Sequence, residues 1–546
     1  MKKIYLLISI IITVFSCADN TNKTGTIGSA SIDYKADFYQ YFSSNHNSKI
    51  TTPIDDIALD SVQWVQNFYK SINYSTIWIN DSIQLNKNGK RLLQQLYNAK
   101  NYGLDTRLYP INKIRTLNQQ LDTISIIDDR YIIASQIDVL LSYFYMLHGK
   151  HLNYGILDSI QTHSLVPRKQ FKINLPKYLK QAYESDSIMD KLYDLQPKHQ
   201  EYHNLQKGME SFLKKASLST ENINVINFRE DSLKSVALAK EALILHQYLS
   251  EEDKDSLYTN ALEKFQMEHG LKTDGLIGNN TAKALSISPY EYYQRIVVSL
   301  ERWRWKEPFN GTRIYVNIPS YELELFKNNS LVKKHTVVVG SFKNQTPEIV
   351  DSLAYVIAYP YWNVPKKISV KEILLKAQKD STYLMRNNYE VMTKKREAVE
   401  PDSVNWSTVN SKNFNFLFRQ RGGGKNALGY VKFIFPNKHA IYLHDTPSKS
   451  FFSRERRAYS HGCVRVQDAL HLAEYLLDDD QNKYNVDSVN AAIKNQKEKW
   501  MPLNSKVSIY LYYFTTAANK SGDITFYEDP YKLDKVLMKD LALNIN

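Results

Sequence analysis

The chain predicts a multidomain α+β fold on three observations. Apolar residues recur at helical spacing from about residue 36 to 225, a short glycine-punctuated helical stretch follows at about 230–290, and from about 310 the period changes to two. At 546 residues, two to four domains with ample core are expected. The reading is a helical scaffold over 36–229, a small three-helix unit over 230–290, and a β-rich C-terminal domain over 300–546. A capping flap is inserted into that domain at about 366–428.

In chain order, residues 1–17 come first. Lys2 and Lys3, the apolar run Ile4 to Phe15, Ser16 and Cys17 form a secretory leader. The run is too short to span a bilayer as a helix, which needs about 20 apolar residues. Val14, three before Cys17, makes the segment resemble the lipobox of bacterial lipoproteins, which implies lipid attachment at Cys17; an ordinary signal peptide with an incidental cysteine is the alternative. Residues 18–35 read as a flexible tether. The remainder is then expected on the periplasmic side of the cell envelope, lipid-anchored to the inner or outer membrane.

Within the scaffold, Val62, Val65, Phe68 and Tyr69 share one helical face, as do Leu92, Leu93, Leu96 and Tyr97. The longest stripe, Ile133, Ile137, Leu140, Leu141, Phe144 and Leu147, is expected to end at Gly149. Between 230 and 290, Leu257, Ala261, Leu262 and Phe265 have helical spacing, Gly270, Asp274-Gly275 and Gly278 punctuate a tight connection, and Thr281 is expected to N-cap the closing helix. The Phe265-Gln266, Gly270-Leu271, Asp274-Gly275 and Gly278-x-x-Thr281 pattern resembles the small peptidoglycan-binding domain, and any small helical bundle is the bland alternative.

From 310, Ile314 to Ile318, Leu323 to Phe326 and Thr336 to Val339 read as strands, with Asn328-Asn329 as a hairpin turn. Tyr355 to Tyr359, Val431 to Phe435, Ala440 to Leu443 and Val507 to Phe514 continue the sheet. The insert reads as polar and partly helical. Its Arg421-Gly422-Gly423-Gly424-Lys425 run fails the phosphate-loop spacing, with Asn426 where Ser or Thr is needed, so a mobile flap beside the site is expected.

The net charge of +13 is spread along the chain, with no Lys/Arg cluster interleaved with aromatics, so no nucleic-acid partner is expected. Two cysteines rule out a disulfide framework. Besides Cys17, the other is Cys463, in Ser460-His461-Gly462-Cys463-Val464-Arg465, with His444-Asp445 upstream behind a strand and a helix expected from Asp468. A neighbouring imidazole lowers a thiol's pKa, a nearby helix start favours an anion, and Gly462 frees backbone N–H groups for an oxyanion. Cysteine acyl transfer follows from this set. Zinc held by Cys463, His461 and His444, or an inert buried thiol, are the competing readings.

Ser460-His461-Gly462-Cys463 with upstream His444 resembles the YkuD-type L,D-transpeptidases. Five stretches narrow the resemblance to their large YcbB-like branch: Glu301 to Trp305, Gln345-Thr346-Pro347, Tyr361 to Pro365, Asn426 to Gly429, and Tyr442 to Pro447. So does Tyr513 to Ala517. The resemblance implies that Cys463 is the nucleophile, His444 its base oriented by Asp445, and the Gly462 and Cys463 amides the oxyanion hole, with His461 and Ser460 shaping the site. It places Arg465, Tyr442, Trp362 and Asn363 on the substrate side; Arg465 either orders the loop or meets a substrate carboxylate. The implied substrates are peptidoglycan stem peptides and glycan, joined by 3→3 cross-links through a thioester, with no metal or organic cofactor. Carbapenems are the implied inhibitors. Hydrolysis by the same acyl-enzyme, and a non-catalytic wall-binding tether, are the alternatives.

Overall fold

The computed structural model describes residues 59–157, 168–480 and 483–541. The leader, the tether and Cys17 lie outside the described residues, as does the Val62 side chain. Among the described residues no helix is long and apolar enough to cross a membrane.

The scaffold is organised around helix Ile127–Tyr154, which is buried on every side from Ile137 to Met146. A polar residue survives there because it is fully satisfied. Asp138 accepts from the Trp78 amide at 2.7 Å, the Ile77 amide at 3.1 Å and the Tyr69 hydroxyl at 2.5 Å. The helix runs past Gly149 and stops at Gly155, whose φ of +92° suits glycine. A Cβ at Gly155 would lie 2.2 Å from Glu301 Oε1. Helix Lys87–Tyr97 buries Leu92 and Leu96 as expected, but Tyr97 is 60% exposed. Gln95 takes the inward place instead, hydrogen-bonded to His148 Nε2 at 3.3 Å and to the Tyr193 hydroxyl at 3.1 Å.

Helices Ser232–Leu245, Tyr258–Glu268 and Asn279–Leu285 enclose their own core, with Leu262 and Phe265 fully buried. Gln266 wires the connection: Oε1 accepts from the Asp274 and Gly275 amides at 3.1 and 2.9 Å, and Nε2 donates to the Leu276 carbonyl at 2.9 Å and to Thr281 Oγ1 at 3.3 Å. Thr281 is therefore inside the closing helix and turned to Gln266, while Gly278 is the N-cap.

Helix Pro289–Arg304 joins the parts, and the Glu301-to-Trp305 motif is a buried joint. Glu301 accepts from the Ile156 and Leu157 amides of the scaffold at 2.8 and 3.1 Å and pairs with Arg304 at 3.1 Å. Arg302 pairs with Asp534 at 2.6 Å, and Trp303 stacks on Phe514 with centroids 4.1 Å apart.

The C-terminal domain is built on strands β1 (Arg313–Asn317), β2 (Glu322–Lys327), β3 (Ser330–Gly340), β4 (Ile349–Ser352) and β5 (Tyr355–Ala358). Further along, β6 (Trp362–Asn363), β7 (Tyr389–Thr393), β8 (Ala398–Val399) and β9 (Phe416–Gln420) belong to the insert. The main sheet resumes with β10 (Val431–Ile434), β11 (Leu443–His444), β12 (Ala458–Ser460), β13 (Val464–Val466), β14 (Lys499–Pro502) and β15 (Ser508–Tyr512). Its order is β14-β5-β10-β11-β13-β3-β2-β1-β15-β4, with β12 beside β3. Asn328 and Asn329, at φ +50° and +62°, make the β2–β3 turn. Of the expected Ala440–Leu443 strand only Leu443 pairs, in β11 (Leu443–His444), and Ala440 turns the chain at φ +54°.

The insert is more ordered than a polar flap. Its four-stranded sheet, β6-β9-β7-β8, and its helices close over a core of Val364, Leu374, Trp406, Phe414 and Phe418. Asn426 staples its base, with Nδ2 donating to the Pro360 carbonyl at 3.1 Å and the Arg421 carbonyl at 2.9 Å.

Burial keeps several histidines neutral: it pushes His151 and His269 down to about 3, His199 and His246 to about 4, and His148 well below its ordinary value. In the unfolded chain each takes a proton near pH 6.5, so the unfolded state binds more protons between there and the folded value. Each then costs about 1.4 kcal/mol of stability per pH unit as pH falls. Asp138, raised to about 7 by burial, opposes this, since the folded state holds its proton. Urea midpoints followed by tryptophan fluorescence are expected to fall steeply from pH 6.5 to 4; a flat profile would contradict the neutral burial.

Candidate active site

The main sheet brings the reactive residues together through its register. Parallel pairing of β11 and β13 sets Leu443 opposite Val464 and His444 opposite Arg465. Leu443 and Val464 are fully buried in the core. Strand alternation therefore puts Tyr442, His444, Cys463 and Arg465 on the opposite face.

The loop carrying the thiol is clasped from two sides. Ser460 Oγ donates to the Cys463 carbonyl at 2.5 Å and accepts from the Gly462 amide at 3.1 Å. Thr346 Oγ1 donates to the Gly462 carbonyl at 2.7 Å and accepts from the Gly340 amide at 2.8 Å. The Tyr531 hydroxyl accepts from the Thr346 amide at 3.1 Å and donates to the Gly340 carbonyl at 2.8 Å. Gly462 turns the chain at φ +113°. Two expectations change as a result. The Gly462 amide is engaged by Ser460, which leaves the Cys463 amide as the candidate oxyanion donor. Cys463 also leads into β13, and the next helix starts only at Ala469, so the helix start expected at the thiol comes only after that strand.

Cys463 is half-buried and free. Burial pushes its thiol up; the Tyr442 amide and hydroxyl, then Lys432 and Arg465, pull it down. Its Sγ lies 3.9 Å from the Ala440 carbonyl, and no hydrogen bond joins it to His444. His444 is 5% exposed, and its Nδ1 donates to the Asp445 carbonyl, which leaves Nε2 with an open lone pair. Burial first, then Arg465 and Lys432, push His444 down to about 3. The resting pair is thus a neutral thiol and a neutral imidazole, in place of the expected imidazole-stabilised thiolate.

Asp445 orients His444 through its backbone carbonyl. Its carboxylate accepts from the Tyr430 amide at 3.0 Å, pairs with Lys449, and lines a cavity of about 500 Å³ with Asp468 and His471. Gly429, at φ +60°, leaves room for it, since a Cβ there would meet Asp445 Oδ2 at 2.2 Å. Tyr442 stands between the thiol and Trp362; burial, then the thiol, push its hydroxyl up, while Trp362 lowers it. Arg465 lies over the Phe451 ring, 5.5 Å from its centroid, and its buried Nε has no hydrogen-bond partner. Asn363 is exposed on β6, and its side chain makes no hydrogen bond. His461 turns outward, its Nε2 2.6 Å from Glu372 Oε1 of the insert. Among the described residues, no group of three or more His, Cys, Asp or Glu side chains is placed to hold a metal ion.

Sequence reasoning misses Lys432. It pairs with His444 in the β10–β11 register, its Nζ lies 3.9 Å from the Tyr442 ring centroid, and burial pushes it down while the thiol and Glu498 push it up. The only signal is strand alternation, which sets Lys432 between the core residues Val431 and Phe433. Thr346 and Tyr531 are missed as braces too, although Thr346 lies in a motif the sequence singles out.

The family model described as the YkuD L,D-transpeptidase catalytic domain matches residues 311–490, and a scaffold-domain model matches 63–209. A curated protein of Haemophilus influenzae named "Putative L,D-transpeptidase" is 34% identical over 242 residues, 44% of this chain and 48% of that protein. The matched region thus spans about half the length of that relative. Two crystal structures described as L,D-transpeptidases are also similar. One, from Stackebrandtia nassauensis, is 13% identical over 54% of this chain and 96% of its own, with a TM-score of 0.20. The other, from Xylanimonas cellulosilytica, is 12% identical over 51% and 92%, with a TM-score of 0.17. Superpositions that poor support no structural equivalence.

Proposed function

We propose, from the match of residues 311–490 to the YkuD L,D-transpeptidase catalytic-domain model and of residues 63–209 to the scaffold-domain model, that the protein cross-links peptidoglycan stem peptides 3→3 through a cysteine thioester. The observation that carries this reading is the β11–β13 register, which sets Cys463 and a neutral His444 on one sheet face.

Cys463 Sγ attacks the carbonyl of the third residue of a donor tetrapeptide while His444 Nε2 takes the thiol proton. The Cys463 amide holds the oxyanion, a donor of a kind that contributes about 2.7–4 kcal/mol. Collapse breaks the amide bond, and the leaving amine of terminal D-alanine takes the proton from His444. An acceptor side-chain amine then attacks the thioester, passes its proton to His444, and leaves a new amide and a reprotonated thiol. Lys432 and the unpaired Arg465 make this cleft cationic, which suits a carboxylate of the stem.

Cys17 would carry the lipid anchor on the periplasmic side, and residues 230–290 would grip the glycan. The test is product analysis after incubation with disaccharide-tetrapeptide. Release of D-alanine with 3→3 dimers is expected; D-alanine without dimers identifies a hydrolase, and unchanged substrate identifies a non-catalytic tether.

A further inference from the structure

The face that holds the thiol continues, in register, to the edge of the sheet. Successive ladders pair Trp500 with Ile357, Ile357 with Lys432, Lys432 with His444, and His444 with Arg465. Directly paired residues point to the same side. The complementary row, Met501, Val356, Phe433, Leu443 and Val464, is fully buried in the core, which fixes the first row on the outer face.

At the end of that row stand two exposed aromatics. Trp500 is 51% exposed and Tyr355 38%, with ring centroids 5.5 Å apart and planes at 73°. The indole is held in place: Trp500 Nε1 donates to Glu498 Oε2 at 3.1 Å, and Glu498 Oε1 accepts from the Tyr361 amide at 2.8 Å. Ile357, between Trp500 and Lys432, is 1% exposed and offers no surface of its own, so the exposed aromatic surface at this end of the row belongs to Trp500 and Tyr355. A flat, fixed aromatic face with a carboxylate at its edge suits a pyranose ring, which offers C–H groups to the face and hydroxyls to the carboxylate.

We propose that Trp500 and Tyr355 form a saccharide subsite that receives a sugar ring of the glycan bearing the donor stem. The inference rests on the proposed transpeptidase reading and names where the non-reacting end of its substrate lies. Length agrees with it. Four ladder steps separate β14 from β13, about 19 Å. Three extended stem residues span about 10–11 Å, and the ether link to the sugar together with the breadth of the indole covers much of the remainder. The rim is supplied by the Glu498 carboxylate, which holds the indole N–H.

The test compares acyl-enzyme formation by the purified protein on disaccharide-tetrapeptide and on free tetrapeptide. Wild type is expected to prefer the disaccharide form. Trp500→Ala is expected to lower kcat/KM for it roughly tenfold, without a matching loss on the free peptide, and Trp500→Phe to restore most of the preference. Equal losses on both substrates, or none on either, overturn the subsite. Wild type that reacts equally with both forms overturns the subsite and leaves the transpeptidase reading standing; wild type that reacts with neither overturns both.

Discussion

Cys463→Ser is expected to lower donor turnover about ten-thousandfold or more, while the fold stays intact. The reason lies in the resting electrostatics. Burial holds His444 neutral and makes it a weak base, and a serine hydroxyl, far less acidic than a thiol, is the harder proton for it to take. The clasp that shapes the loop runs through Ser460, Thr346 and the backbone of Gly462 and Cys463, so the exchange leaves it in place. Intact-mass spectrometry after exposure to disaccharide-tetrapeptide or a carbapenem should show a covalent adduct on the wild type and none on the variant. An adduct of unchanged yield on Cys463→Ser would remove the thiol from the mechanism.

Arg302→Met is expected to destabilise the protein by about 3–5 kcal/mol, because it strands the Asp534 carboxylate in the interior. Both side chains are almost inaccessible, at 3% and 2%, and Asp534 also accepts from Thr515 Oγ1 at 2.5 Å. Partnering Arg302→Met with Asp534→Leu should recover most of the loss, since an apolar pair of similar volume leaves no charge unpaired. Urea unfolding of the two single variants and the double variant measures this. A single-variant loss below about 1 kcal/mol would place the pair among contacts of surface strength.

Where local chemistry decides structure, the sequence is transparent. Asn328-Asn329 between two alternating runs makes its hairpin, and Cys463 and His444 fall on one sheet face. Long-range packing is opaque. Gly149 looks like a helix stop, yet the stop is Gly155, chosen because Glu301, far along the chain, fills the space a side chain would need. The core of the insert is drawn from residues scattered between Val364 and Phe418, too sparse for any period to show. Tyr97 and Gln95 exchange places because His148 and Tyr193 supply hydrogen bonds that no helical wheel contains. In the site, the residue types are legible, but the commitment of the Gly462 amide depends on the Ser460 side chain. Lys432 reads as a solvated strand lysine until its neighbour across the ladder is known.

The helix Pro289–Arg304 has a practical corollary for anyone cutting this protein into fragments. Trp303 and its neighbours cover Tyr512 and Phe514, and the same aromatic cluster includes Tyr315 and Tyr510 on the back of the β1–β15 pair. A recombinant piece starting at residue 311, where the domain match begins, would strip that cover and present bare rings to water. A unit that keeps this cover therefore starts upstream of Pro289.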